Sequence, residues 1–240
     1  MKKITALVSL LSASFSAQAA IPAPQKKQLL EVHENLSSFK FMSISFNQEL
    51  WSPLRRRVKK SSGNLDLSHK GAFKWKVTGR FSEVYANDLN IFWIYNEATK
   101  HAQCLEPSKV RQRMQFMDIL YNIGTLEEKY TVSLWKEEKK GEKQRYEILN
   151  PNPPSTQFPS LTLKLIPKNN AVKRTVKEAF LVLDLKNKNI HEVRTIAPDG
   201  NRSRILFKAP QPLTPKGTTF TFVPPKGTAE ECDLTKFPKK

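Results

Sequence analysis

From Phe41 to Phe207, apolar residues recur at every second position in short runs cut by turns, and nothing else in the chain constrains its fold as much. A period of two puts successive side chains on opposite faces of an extended strand, so such runs are half-buried strands rather than helices. In "FMSISFNQEL", Met42, Ile44, Phe46 and Leu50 fall on one face, with Gln48 the exception, and Ser43, Ser45, Asn47 and Glu49 fall on the other. Leu65 and Leu67 continue the style, and Phe73, Trp75 and Val77 alternate with Lys74, Lys76 and Thr78. Further strands are expected at 83–86, 90–95, 130–135, 145–149, 161–166, 179–185, 190–196, 203–207 and 219–223. Turn signals such as Asn87-Asp88, "PKNN", "KNKN" and "PDGN" separate them. Residues 90–95 are apolar on both faces, so both need a cover, and Phe92 competes with Trp93 for the inward side. No repeat is present, and "NPNPPSTQFP" at 150–159 reads as a loop between strands rather than a linker. About a dozen sequential antiparallel strands on this spacing predict a meander that curls into a barrel or half-barrel.

Two segments break the period. In "KKQLLEVHENLSSF", after a short extended "IPAPQ", Leu29, Val32, His33 and Leu36 follow the i, i+3, i+4, i+7 rule of an amphipathic helix. His33 on that stripe reads as a packed residue rather than a ligand. "SKVRQRMQFMDILYNIG" predicts a second helix, with Ser108 as its cap and Gly124 as its stop. Val110, Met114, Met117 and Tyr121 line one side of it, widened by Phe116, Ile119 and Leu120. Two helices on a curled sheet belong on its concave side.

The first nineteen residues, "MKKITALVSLLSASFSAQA", pair a basic start with a short apolar stretch and an A-x-A site. That is the pattern of a cleaved secretory signal peptide, and the apolar part is too short to span a bilayer. Residues 20–240 are then expected to form a single exported domain with a short tail from about 229. The formal charge is +18, of which Lys2 and Lys3 carry two. Such a charge favours anionic partners: lipid headgroups, acidic proteins or nucleic acid. Export makes nucleic acid the least expected of these. Cys104 and Cys232 could pair in an oxidising compartment or stand as two separate thiols.

Reaction chemistry has no signature here. His33, His69, His101 and His191 lack metal-ligand spacing, and no nucleophile elbow, phosphate loop or H-E-x-x-H pattern occurs. Neither an enzyme nor a metal or organic cofactor is expected. "RRRVKK" places Arg55, Arg56, Arg57, Lys59 and Lys60 between two strands. It reads either as an exposed hairpin loop that keeps an edge soluble or as a docking element for anionic lipid or an acidic surface.

Taken in order, the strand motifs resemble the outer-membrane lipoprotein carrier (LolA) family, over residues 29–227. The resemblance rests on Phe46-Asn47-Gln48, Gly63-Asn64-Leu65, Phe73-Lys74-Trp75, Trp93 with Tyr95, Asn201 with Phe207, and the series Phe220, Phe222, Pro224, Pro225, Gly227. It implies an unclosed antiparallel barrel of 11–12 strands, mainly β, with helices as a lid over an apolar cavity. It also implies a monomeric periplasmic carrier, one that takes acylated lipoproteins from an inner-membrane releasing transporter to an outer-membrane receptor. A lipid or glycolipid binder, or a lipoprotein-sensing module, on the same fold is the alternative. The residues expected to line the cavity are Phe46, Phe73, Trp75, Trp93, Met114, Met117 and Leu120. The family commonly carries an Arg-Pro pair before its Phe-x-Trp strand, associated with holding the lid closed. This chain has "SHKGAF" there, which leaves His69 or Lys70 to act as the latch.

Overall fold

The computed structural model describes residues 21–79, 82–110, 114–135, 148 and 156–233. The signal-peptide stretch and the strand expected at 145–149, Ile148 apart, lie outside them. Among the described residues no helix is long and apolar enough to cross a membrane.

The chain opens with α1 (Ala23–Ser37), which buries Leu29, Val32 and Leu36. The helix takes in part of the expected extended leader. Pro22 and Pro24 fall at its start, where a missing N–H costs nothing because first-turn donors have no partner inside the helix. Six strands follow: β1 (Phe41–Ser52), β2 (Arg57–Ser68), β3 (Phe73–Thr78), β4 (Glu83–Asn87), β5 (Phe92–Asn96) and β6 (His101–Leu105). The last of these was not legible in the sequence, because only Ala102 and Cys104 mark its buried face. A helical stretch interrupts the sheet: a 3-10 turn (Pro107–Lys109), α2 (Gln115–Tyr121), a second 3-10 turn (Ile123–Thr125) and α3 (Leu126–Lys129). The remainder is β7 (Tyr130–Leu134), β8 (Ser160–Pro167), the single turn α4 (Asn170–Lys173), β9 (Glu178–Asp184), β10 (Asn189–Ile196), β11 (Arg202–Phe207), β12 (Gln211–Pro212) and β13 (Ala229–Glu231).

The thirteen strands of the described residues join one sheet, in the order β13-β6-β5-β4-β3-β2-β1-β11-β10-β9-β8-β7, with β12 paired to β1. Every pairing is antiparallel except β13 on β6. The strands at the two ends, β7 and β13, do not pair with each other, so the curled sheet is not a closed barrel. The count exceeds the expected dozen through the two- and three-residue strands β12 and β13.

The register sorts side chains cleanly between the faces. Ile44 stands opposite Leu65, Leu65 opposite Trp75, and Leu67 opposite Phe73, while Leu163 faces Leu181. These residues share one core cluster with Leu29, Val32 and Leu36 of α1 and Met117 and Ile119 of α2. The helices therefore cover the concave face. Gly63, opposite Phe46, is required by packing. A Cβ there would strike the Lys76 carbonyl and the Phe46 ring, and without it Phe46 lies flat on Trp75, centroids 3.5 Å apart and planes 14° from parallel.

The convex face is closed by two different means. At one end a charge ladder crosses neighbouring strands. Lys60 meets Glu49 at 2.8 Å, Glu49 meets Arg204 at 3.4 Å, and Glu192 bonds both Arg204 and the fully buried Arg194, the latter at 2.7 Å. Burial raises the Glu49 pKa, but Lys60 and Arg204 more than offset this and hold it below the ordinary carboxylate value. At the other end, residues 219–223 were expected to add a strand. Instead they run unpaired across the sheet, with Phe222 against Trp93 (5.9 Å) and Tyr95 (5.3 Å) and Phe220 against Phe41 (6.0 Å). Lys74 donates to the Thr221 carbonyl beneath them. Cys104 and Cys232, 128 residues apart, are joined in a disulfide that fastens this segment to β6.

Replacing Cys104 and Cys232 together with Ala should lower stability by about 2–4 kcal/mol, since the bond closes a long loop. Urea denaturation of the double variant, beside wild type with and without reductant, measures the loss; superimposable curves would assign the tail no such role. Glu49→Gln should lower the melting temperature at neutral pH. The native carboxyl has a depressed pKa, so its contribution is present above the unfolded value and disappears as pH falls through the folded one. The gap between the two melting curves should accordingly close in acid.

Candidate functional site

The site follows from where the period-two faces meet the helices. Phe46 on β1 and Phe73 and Trp75 on β3 point inward and are almost fully buried, and Met114, Met117 and the half-buried Leu120 descend on them from the helical layer. Phe116 tilts onto Trp75 at 4.7 Å, so the aromatic floor of the sheet is in direct contact with the lid. Six of the seven residues expected to line the cavity thus belong to one cluster. Trp93 does not. β5 alternates like any strand, and its inward residue is Phe92, which packs on Phe73 at 6.1 Å. Trp93 belongs to the outer cluster with Ala86, Tyr95, Ala102 and Cys104. The expectation that both faces of this strand need a cover holds, and the outer cover is Phe222.

The helices are fastened at several points. Lys26 of α1 bonds Glu127 of α3 at 2.7 Å, and Lys188 in the β9–β10 turn reaches Glu31 at 3.2 Å. Asn35 donates to the Lys188 carbonyl at 2.8 Å. His33 lies over Gly124, where any Cβ would meet its ring, so His33 is a packing residue, and Gly124 sits inside a 3-10 turn (Ile123–Thr125) rather than just past a helix end. The second helix is shorter than expected in the described residues, and Ser108 bonds the Glu106 side chain rather than a backbone N–H.

The expected latch residues lie elsewhere. His69 is exposed and bonds the Lys40 carbonyl at the start of β1, and Lys70 is exposed. One residue further along, the Gly71 carbonyl accepts a 2.9 Å hydrogen bond from the Tyr121 hydroxyl. This bond joins the end of α2 to the β2–β3 turn, within the "SHKGAF" segment itself. Burial pushes the Tyr121 phenol well above its ordinary pKa, so it remains a protonated donor at any physiological pH. The residue was legible as part of the helix stripe; its hydroxyl's partner, a backbone carbonyl, leaves no trace in a sequence.

Beneath the helices the interior is filled. A residual cavity of about 20 Å³ lies between Leu36, Met42, Leu67, Leu120, Ile190 and Phe207. That is room for little more than one water molecule and far too small for an alkyl chain. The one extended buried ionic network among the described residues, Glu192 with Arg194 and Arg204, lies on the convex side, its one carboxylate paired to both arginines. No group of His, Cys, Asp and Glu among them could hold a metal ion. What the concave face offers is apolar area and two layers that touch without being covalently joined.

A family model described as outer membrane lipoprotein carrier protein LolA matches residues 37–180, from the end of α1 into β9. An outer-membrane lipoprotein carrier protein of Psychromonas ingrahamii is 32% identical over 117 residues, which cover 49% of this chain and 56% of that relative. The protein of the same name from Serratia proteamaculans is 22% identical over 227 residues, covering 95% of this chain and 96% of its own. Among solved structures, a LolA superfamily protein from Nitrosomonas europaea aligns with a TM-score of 0.42 and 10% identity, over 85% of this chain and 99% of that one.

Tyr121→Phe removes the hydroxyl bond without changing core volume, so it should loosen the lid by about 0.5–1.5 kcal/mol. Hydrogen exchange at residues 115–121 should accelerate roughly three- to tenfold while β8 to β10 keep their protection. Uniform acceleration across the sheet would mean that the bond serves global stability instead.

Proposed function

As this chain belongs to the outer-membrane lipoprotein carrier (LolA) family, we propose that it is a periplasmic carrier that shields the acyl chains of lipoproteins released from the inner membrane and delivers them to an outer-membrane receptor. The observation that carries this reading is the contact between an aromatic and aliphatic concave sheet face and a separate helical layer, with almost no space between them. An alkyl chain exposed to water costs about 0.8 kcal/mol per methylene, roughly 12 kcal/mol for sixteen carbons. A surface that takes up such a chain needs apolar area and volume, and it needs no catalytic group.

In the empty protein the helices occupy the place the chain would take. Phe46, Phe73, Trp75 and Phe92 form the floor, and Met114, Met117 and Leu120 form the underside of the lid. Methionine side chains are unbranched and polarisable, so they repack against an irregular ligand at little cost. Uptake exchanges sheet–helix contacts for sheet–lipid contacts, which keeps the net free energy small and allows the cargo to leave again. The Tyr121–Gly71 bond and the Lys26 and Lys188 ion pairs set how firmly the empty state stays shut. The protein acts as a monomer with no cofactor, and its partners are the acylated cargo, the releasing transporter and the receptor.

Purified mature protein added to spheroplasts should release acylated lipoproteins in a soluble one-to-one complex. A photo-crosslinking phenylalanine analogue placed at Phe92 or Phe116 should then capture acyl chains, whereas the same analogue at Trp93 should not. Recovery of free phospholipid or glycolipid without acylated protein would favour a general lipid binder, and crosslinks only from Trp93 would move the site to the convex face.

A further inference from the structure

Beyond the part of the concave face that the helices cover, the apex of the β1–β2 hairpin carries an unusual combination. Residues 53–57 are all exposed, and Leu54 has 92% of its surface in solvent. Arg55 and Arg56 complete the turn, and Arg57, Lys59 and Lys60, read from the sequence as loop, are the first residues of β2. The apex of the β10–β11 hairpin lies beside it, with Gly200 against Pro53. An open groove of about 1130 Å³ runs between these turns, with Leu50, Leu54 and Val58 along it and Arg57, Arg174 and Arg202 at its edge. Asp199 is the acidic residue that lines it.

We propose that this hairpin end docks the protein on the surface of an anionic phospholipid bilayer, with Leu54 entering the headgroup region and Arg55, Arg56, Arg57 and Arg174 pairing with phosphates. Among the described residues these four guanidinium groups have no hydrogen-bond or ion-pair partner, unlike Lys60, which is held by Glu49. A guanidinium fork fits phosphate oxygens in pairs, and basic residues near an anionic surface each add roughly fivefold to binding. A hairpin that served solubility alone would have no use for a leucine at its tip. An acidic protein surface would explain the arginines but not that leucine. A bilayer accommodates both, since an apolar side chain flanked by arginines matches the layering of tails under phosphates.

One leucine and a few arginines give weak, reversible attachment, not anchoring. That strength suits a protein that must leave the surface again. The ionic part is screened within about 8 Å at physiological salt, so attachment acts only on contact. The position of the hairpin also matters. β1 and β2 pair from Phe41 with Ser68 to Ser52 with Arg57, so the apex and the Gly71 turn lie at opposite ends of the same strands. The protein would therefore sit on the membrane by the end away from the Tyr121 bond, leaving the latched end of the lid in water.

Cargo-free mature protein, mixed with phosphatidylcholine vesicles with or without phosphatidylglycerol, tests this by co-sedimentation. Binding is expected only with phosphatidylglycerol and should be lost in high salt. Replacing Arg55, Arg56 and Arg57 together with Ser should weaken it about 100-fold. Leu54→Ser should weaken it about tenfold, with thermal melting of both variants unchanged because these side chains are exposed. Failure of the wild-type protein to bind anionic vesicles would overturn the proposal, and binding to soluble polyglutamate in their place would assign the patch to an acidic protein. Unchanged vesicle binding by Leu54→Ser would refute insertion. No lipoprotein is present in the assay, so its outcome stands apart from that of the spheroplast experiment.

Discussion

The structure depends on an apolar concave face that the sheet cannot cover by itself. A closed barrel would pack its interior side chains against one another, but here β7 and β13 do not meet and the trough stays open along one side. An exposed strip carrying Phe46, Phe73, Trp75 and Phe92 would cost about as much as a domain's whole net stability. Something apolar must lie on it. In this structure that is α1 and α2, and the proposed carrier reading rests on hydrocarbon being able to meet the same requirement. The helices are amphipathic because one side packs on the sheet and the other faces water.

The same constraint explains why the polar interactions sit where they do. The part of the concave face under the helices is an apolar cluster, and the fasteners that hold the lid lie at its margins: Lys26 with Glu127, Lys188 with Glu31, and Tyr121 with the Gly71 carbonyl. Each is one hydrogen bond or one exposed ion pair, worth on the order of 1 kcal/mol or less. Such contacts fix where the lid rests without making its removal prohibitive. The desolvated pairs of Glu192 with Arg194 and Arg204 are kept to the convex side, away from the helices. The disulfide likewise binds the tail to β6 and leaves the lid alone.

Much of this was legible in the sequence, because a period of two assigns faces with no knowledge of partners. Phe46, Phe73 and Trp75 could be placed inward from alternation alone. The errors have a common physical origin. Residues 219–223 alternate as a strand does, but Phe220 and Phe222 use that alternation to lay two rings on a sheet already formed, and a pattern cannot reveal whether a strand edge is available. Trp93 and Phe92 are adjacent and similarly apolar, so the choice between them needed the register of β5 against β4. The Cys104–Cys232 pairing depended on where the tail runs. The Tyr121 bond was not legible either, because it is made by a phenol to a backbone carbonyl, and every residue has one of those.

The placement of charge along the strands gives the molecule a direction. The excess positive charge is spread widely, yet the Arg55–Arg57 run, Arg174 and Arg202 gather where β1, β2, β10 and β11 turn, with Asp199 as the acid lining their groove. Had the run served only to protect a sheet edge it would be wasted, because β1 and β2 are central strands, paired on both sides. Charge on an interior hairpin protects no edge, so what it can act on lies beyond the end of the sheet. The trough, the lid and its Tyr121 tether are set across the strands, while the basic apex is set along them. Contact at the apex would therefore orient the trough over a surface without competing for the face proposed to hold the cargo.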